Sequence, residues 1–246
     1  MGSFLRASEL CISSLRSAIS AFAVVMLCSA CASAPSHGWT PIQGAFFDPV
    51  QLFSEDTDVY GLKLNLPYGR TTSMYGIDVG LAGYVESLNG IQANGFWNEV
   101  QDINGIQLGG LPGNRAVNLN GLEVSVANIA EGRVNGIQLA AVMNDADDLV
   151  GMQFAGISNR SQQVLGIQIA PLVNDAESLI GMQVGIMNFA PRATGLQIGA
   201  LVNKADSIIG LQIGLLNINK NGWLPFFPIL NFGFGHAQEE ATTSED

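Results

Sequence analysis

Apolar and polar residues alternate in a short motif that recurs along most of the chain. Each copy opens with Gly, followed by an apolar residue at position +1, usually Gln at +2 and another apolar residue at +3. Apolar residues two positions apart, many of them β-branched, predict a β-strand in every copy, and polar segments such as 144–148 predict turns. The copies follow at intervals of 14 to 16 residues and begin at Gly61, Gly76, Gly90, Gly105, Gly121, Gly136, Gly151, Gly166, Gly181, Gly195 and Gly210.

A unit of this length cannot enclose its own core, so the copies are expected to pack as one array. Two all-β architectures are compatible with it. In a β-solenoid of about eleven units, each copy is one coil and equivalent residues stack ~4.8 Å apart. In an outer-membrane antiparallel β-barrel, each copy is one spanning strand, with apolar residues toward lipid and Gln toward the lumen.

The distribution of aromatic residues favours the solenoid. Membrane barrels carry aromatic girdles at both interfaces, but between Gln101 and Lys220 the chain has only Phe154 and Phe189. The uniformly short turns agree with this choice. For the solenoid we expect an inward apolar set at positions +1, +3, +6 and about +13, which in one unit are Ile167, Ile169, Leu172 and Leu179.

Two polar residue types recur in register with the Gly. In a solenoid we expect both to stack into hydrogen-bonded ladders, because equivalent residues of successive coils lie ~4.8 Å apart, and a buried Asn would need the repeated partners that stacking supplies. The face that carries the Gln ladder is expected to bind a partner or to act as a spacer. The predicted Gln ladder comprises Gln92, Gln107, Gln138, Gln153, Gln168, Gln183, Gln197 and Gln212. The predicted Asn ladder comprises Asn128, Asn144, Asn159, Asn174, Asn188, Asn203 and Asn217.

The segments outside the array predict an exported protein. Residues 1–32 resemble a signal peptide, with an apolar run at 18–27 followed by small residues. Two processing routes remain open: cleavage after Ala32, or lipid attachment at Cys31, which would attach the protein to a membrane. Residues 33–58 are expected to form a linker and an N-terminal cap. The array is expected over 59–221, an aromatic C-terminal cap over 222–235 and an acidic, disordered tail over 236–246.

Composition limits the possible chemistry. The net charge of −11 disfavours binding to nucleic acid, and all three cysteines, at positions 11, 28 and 31, precede the predicted cap. His37 and His236 are the only histidines, so the sequence predicts neither a catalytic His nor a His-rich metal site. Its glycines follow the repeat and open no phosphate-binding loop, so no cofactor is expected. Calcium binding by stacked acidic turns is a weaker alternative than solvated turns for Asp145, Asp147, Asp148, Asp175, Glu177 and Asp206.

Four phrases resemble a family of exported bacterial surface-repeat proteins built on Gly-Leu-Gln-Ile-Gly-Leu-Val-Asn units. They begin at Tyr60 (YGLKLNLPYG), Tyr75 (YGIDVGL), Gly210 (GLQIGLLN) and Leu224 (LPFFPILNF), and the resemblance spans about Pro49 to Phe234. It implies an envelope or surface location, with no assigned activity and no catalytic residue. The chain departs from the regular unit at 105–120, where one turn is longer, and at Gly121, where Glu replaces Gln.

These observations predict a non-enzymatic, exported repeat protein of the cell envelope or surface, either structural or binding an envelope or extracellular partner. The outer membrane or cell surface is the expected location, with the periplasm as an alternative. The competing hypothesis is a small outer-membrane β-barrel that acts as a pore or an anchor.

Overall fold

The computed structural model describes residues 38–47 and 50–234. These residues form nine β-strands that belong to one sheet, and none of their segments is a helix long and apolar enough to cross a membrane. Strands β3 and β4 each run through several coils without a break, whereas the repeat predicted a separate strand in each unit. The strands are β1 (Trp39–Phe47), β2 (Val50–Gln51), β3 (Asp58–Gly109), β4 (Gly113–Ala155), β5 (Ser158–Ile169), β6 (Val173–Phe189), β7 (Arg192–Ala205), β8 (Ser207–Asn219) and β9 (Phe226–Phe234).

Successive coils pair in parallel with the repeat in register. Gly151 pairs with Gly166 and Gly166 with Gly181, and the same register continues through Gly195 to Gly210. A shorter unit is absorbed by a shift in register after Gly185 rather than by a change in the stacking. The prediction of a β-solenoid is therefore confirmed, and the alternative of an antiparallel β-barrel is wrong.

The parallel stack begins earlier than the first repeat. Strand β1 pairs in parallel with β3, which places Gln43 beside Lys63. Residues that the sequence assigned to a linker and cap thus build a further coil, and the solenoid has about twelve turns. The short strand β2 pairs antiparallel with β1, and Gln43 donates to the carbonyl of Phe53 from Nε2. The first coil is therefore closed by contacts with the segment that follows it.

The aromatic segment after the last repeat closes the other end. Strand β9 turns back and pairs antiparallel with β8, so Gly210 lies beside Gly233 and Gln212 beside Asn231. This direction ends the parallel stack. Trp223 and Phe234 remain largely exposed in this cap.

The core contains different residues from those that the sequence predicted. Leu179 is fully buried, as expected, but Leu172 is exposed, and Ile167 and Ile169 are only half-buried. The inward positions of that coil are instead Gln168, Ala170, Asn174, Ala176 and Leu179. The apolar cluster inside the array consists of Ala, Val, Leu, Ile and Met side chains from Val59 to Ile208. The interior is thus narrow, half apolar and half amide.

The Gly that opens each unit has a specific steric role. Gly166 has φ +150°, a conformation that side-chain-bearing residues rarely adopt, and a Cβ there would overlap the carbonyl oxygen of Gly151. The same relation recurs from coil to coil, for example between Gly181 and Gly166. The coils approach so closely along this column that only Gly fits.

Candidate functional site

The Gln ladder lies inside the solenoid. Six of the eight Gln residues donate from Nε2 to Oε1 of the Gln in the preceding coil, and the distances are 2.8 Å from Gln153 to Gln138 and 2.9 Å from Gln168 to Gln153. Gln92 donates instead to Asp78, and Gln138 to Glu123. All members are fully buried. The placement of the Gln side chains on an outer face is therefore wrong, because these side chains do not reach the surface. That the array binds a partner stays a prediction. In this structure the ladder joins coils. The remaining bonds run from Gln183 to Gln168, Gln197 to Gln183, Gln212 to Gln197 and Gln107 to Gln92.

The Asn ladder forms a second buried column at the corner of each coil. Asn159 donates from Nδ2 to Oδ1 of Asn174 at 3.0 Å and to the carbonyl of Ile169 at 2.9 Å. It also accepts a hydrogen bond from Asn144. A buried amide of this kind is satisfied by both neighbouring coils, which is what the structural interpretation requires. The predicted members bond in sequence from Asn128 to Asn217 through Asn144, Asn159, Asn174, Asn188 and Asn203. The column begins two coils earlier than predicted, because Asn98 donates to Asn114 and Asn114 to Asn128.

Glu123 interrupts the Gln ladder with an ionisable group. Its Oε2 accepts a hydrogen bond from Gln138 at 2.8 Å, whereas its Oε1 and the Oε1 of Gln107 are buried without a donor. The two residues are paired across adjacent coils. A proton on Glu123 would let it donate to Gln107 and restore the ladder. Burial raises the pKa of Glu123 to about 7, and the hydrogen bond from Gln138 opposes part of that rise.

A second ionisable pair lies in the first coils. Lys63 and Asp78 are both fully buried, and Nζ of Lys63 is 3.8 Å from Oδ2 of Asp78. Burial lowers the pKa of Lys63, and it raises the pKa of Asp78 against the opposing effects of Lys63, Gln92 and Asn65. The carboxylate accepts hydrogen bonds from both amides, so it terminates the Gln ladder at this end. Neither side chain is exposed to solvent, which favours a structural role.

The outer side of the strand that carries the Gln ladder is apolar in every unit. We call this surface the apolar face and define it by positions +1, +3 and the turn at +5 or +6. Position +1 holds Leu62, Ile77, Ile91, Ile106, Leu122, Ile137, Met152, Ile167, Met182, Leu196 and Leu211. Position +3 holds Leu64, Val79, Ala93, Leu108, Val124, Leu139, Phe154, Ile169, Val184, Ile198 and Ile213. The turn holds Leu66, Leu81, Phe96, Leu111, Val126, Val142, Ile157, Leu172, Ile186, Leu201 and Leu215. None of these side chains is buried.

The opposite strand carries the exposed charges of the array, and we call it the charged face. It begins just after the Asn ladder, where Asp145 follows Asn144 and Arg160 follows Asn159. Ion pairs link neighbouring coils on it, such as Arg115 with Glu131 and Lys220 with Asp206. Partial burial raises the pKa of Asp145, while Arg160 acts in the opposite direction. The solenoid therefore has one charged side and one apolar side.

The acidic turns that the sequence singled out lie on this charged face. Asp145 and Asp175 flank Arg160 in adjacent coils, since both are in register with it. Among the residues that the structure describes, no cluster of acidic, His or Cys side chains has the arrangement of a metal site. Cys31, His37 and His236 lie outside the described residues, so the structure does not bear on lipid attachment.

Fold and side-chain distribution together define a parallel β-solenoid with amide ladders inside and one apolar outer face. Comparison of the chain with protein-family models, with curated proteins and with solved structures found no match. The apolar face was not recognised from the sequence. The sequence does contain a pattern that indicates it, because the residues on the same side of the strand as Gln are small. They are Gly at position 0 and Ala or Gly at +4 in units such as 166–180 and 181–194, and small residues of this kind are expected on the side that faces a narrow interior.

Proposed function

We propose that this protein is a non-enzymatic, exported repeat protein of the cell envelope or surface that works as a docking scaffold through its apolar face. The observation that carries this proposal is the unbroken run of exposed apolar residues at +1, +3 and the turn along the array. Contiguous apolar patches beyond about 300–600 Å² are rare on monomers and mark interaction sites. A rigid solenoid displays such a patch without needing a ligand or a catalytic group.

Export is supported by the sequence of residues 1–32, and lipid attachment at Cys31 is one of its two proposed routes. The full chain is expressed in a bacterial host and followed by cell fractionation and by metabolic labelling with a fatty acid. We expect a processed chain in the envelope fraction. Label that is lost in Cys31→Ser and kept in the matched control Cys28→Ser would assign lipidation. An unlabelled, processed chain would assign cleavage after Ala32.

The proposal fails if the chain stays unprocessed in the cytoplasm. The docking role is tested separately by adding charge to the apolar face. Leu201→Glu should abolish the association of the protein with the molecule that binds its apolar face. A Glu at an exposed apolar position of the charged face should leave this association intact. Equal behaviour of the two variants would refute the docking role and leave the location untouched.

A further inference from the structure

We infer that the apolar face packs against the same face of a second copy of this chain. The inference rests on the proposed docking role and names the occupant of that surface. The coils stack ~4.8 Å apart, so eleven of them extend roughly 50 Å, and positions +1 to +6 extend roughly 17 Å at ~3.3 Å per residue. One face therefore offers roughly 850 Å², and two faces together bury roughly 1,700 Å². Stable interfaces bury about 1,200–2,000 Å² in total.

The shape of the apolar face is suited to packing against a second β-sheet. Between the +3 ridge and the turn lies an apolar groove with a volume of about 600 Å³, whose lining includes Ile169, Gly185 and Ile198. A second stretch of about 520 Å³ shares Ile169 and Pro171 with it, so the groove continues along the solenoid. A row of side chains from a second copy would fill this groove, as side chains interdigitate between packed sheets.

Backbone hydrogen bonding argues against an extended peptide as the occupant. The main chain beneath the apolar face is paired with the coils above and below, for example from Gly166 to Gly181. A peptide lying in the groove would find no partners there for its own amides and carbonyls, and burying them unpaired is costly. A second solenoid brings a backbone that is already paired. Only side chains then have to fit.

Charge argues for a second copy over a lipid surface. Amphipathic helices that lie on membranes usually carry Lys and Arg on the polar face next to their apolar face, and these residues attract anionic lipids. Here the charged face has Asp145, Asp147 and Asp148 in one coil, and the whole chain has a net charge of −11. In a face-to-face dimer the two charged faces point away from each other. With sheets ~10 Å apart they are separated by roughly 30 Å, beyond the Debye length of about 8 Å.

The contact should be centred on the C-terminal half of the array. Position −1, beside the apolar face, holds the exposed Asn120 and Asn135 in the middle units, joined by a 2.9 Å hydrogen bond. In later units the same position holds Leu165 and Ile180, each more than half exposed. The apolar surface is therefore wider from about Val150 onward, except at Thr194, which holds this position in one unit. The groove lies in the same region.

The test is the mass of the protein in detergent-free solution, measured by sedimentation equilibrium from ~1 to 100 μM. The full chain and a shorter chain that begins at Ser36 are measured in parallel. The shorter chain contains every residue that the structure describes. We expect a dimer. Leu172→Glu, and independently Leu201→Glu, should raise the dissociation constant at least about tenfold, because each places an unpaired charge in the contact. Ile129→Glu is the matched control, since Ile129 is also an exposed apolar residue but follows Asn128 on the charged face.

Circular dichroism establishes that each variant keeps its β-structure. A monomeric wild type at 100 μM would overturn the inference. So would a dimer that Ile129→Glu weakens as much as Leu172→Glu does. A monomer that floats with phosphatidylcholine vesicles, and loses this binding in Leu172→Glu, would assign the apolar face to lipid. That result would overturn the dimer while leaving the docking scaffold intact.

Discussion

Replacing Glu123 by Gln should stabilise the solenoid in a way that depends on pH. Glu123 is fully buried within the Gln ladder, and its pKa is raised to about 7 from an ordinary value of 4.5. The folded state thus holds the proton over a pH range in which the unfolded chain has lost it. Stability is therefore lost as pH rises from about 4.5 to about 7, and it changes little from this cause at higher pH.

The size of the effect follows from the shift. A difference of about 2.5 pKa units at ~1.4 kcal/mol per unit corresponds to about 3 kcal/mol. Glu123→Gln removes the titration and supplies an amide that donates to Oε1 of Gln107, which now lacks a donor. The stability advantage of the variant should thus grow by about 3 kcal/mol between pH 4 and pH 8. For a chain of this size that is a difference in melting temperature of roughly 6 to 12 °C.

The assay is thermal unfolding of wild type and variant, followed by far-UV circular dichroism at both pH values. Because Asp78 also has a raised pKa and Lys63 a lowered one, only the difference between the two proteins isolates Glu123. Glu131→Gln is the control, since Glu131 is an exposed carboxylate of the charged face. If the difference in melting temperature between wild type and Glu123→Gln stays constant from pH 4 to pH 8, the assignment of a buried, titrating carboxyl is refuted.

Four further substitutions probe the glycine column, the Asn ladder and the two sides of the coil, each by thermal and urea unfolding. Gly166→Ala should cost at least about 2 kcal/mol because of its φ of +150° and the overlap with Gly151; Gly95→Ala, whose Cβ would meet nothing closer than 3.9 Å, is its control. Asn159→Ala should cost about 2 to 4 kcal/mol, since it leaves the carbonyl of Ile169 and Oδ1 of Asn174 without this donor; a loss below about 1 kcal/mol would contradict a satisfied ladder. Leu179→Asp should abolish cooperative unfolding, whereas Ile169→Asp should change the stability of the monomer by less than about 1 kcal/mol. Equal losses in these last two variants would mean that the inner and outer sides are assigned wrongly.

The sequence predicted the architecture well because its strongest signal, the spacing of Gly, Gln and Asn, is the spacing of the coils. Parallel stacking places identical residues above one another, so an amide at a fixed position gains a partner in each neighbouring coil. The Asn144, Asn159 and Asn174 column has this geometry. The additional coil at β1 was missed because Pro41 stands where the other units have Gly, although Gln43 keeps the position of the ladder.

The assignment of inner and outer sides failed for a physical reason. A strand alternates with a period of two, and choosing the wrong phase reverses every side chain. Treating apolar residues as core placed Ile167 and Ile169 inside. The correct phase includes Gln168 and its small neighbours Gly166 and Ala170, and a narrow interior has room for Gln only beside such residues. Side-chain volume would have distinguished the two phases, whereas polarity alone favoured the wrong one.

The inverted arrangement bears on why the outer positions are uniformly apolar. The interior is closed by amide ladders and by residues such as Leu149 and Leu179, so folding places no demand on the side chains at +1 and +3 beyond a preference for strand. Thr meets that preference, and charged residues are tolerated at exposed strand positions. Both occur on the charged face. On the apolar face they are absent from every unit. The fold does not require this uniform apolar character, and the charged face lacks it, so contact with another apolar surface explains it best. Comparison of Leu172→Glu on the apolar face with Ile129→Glu on the charged face tests for that contact.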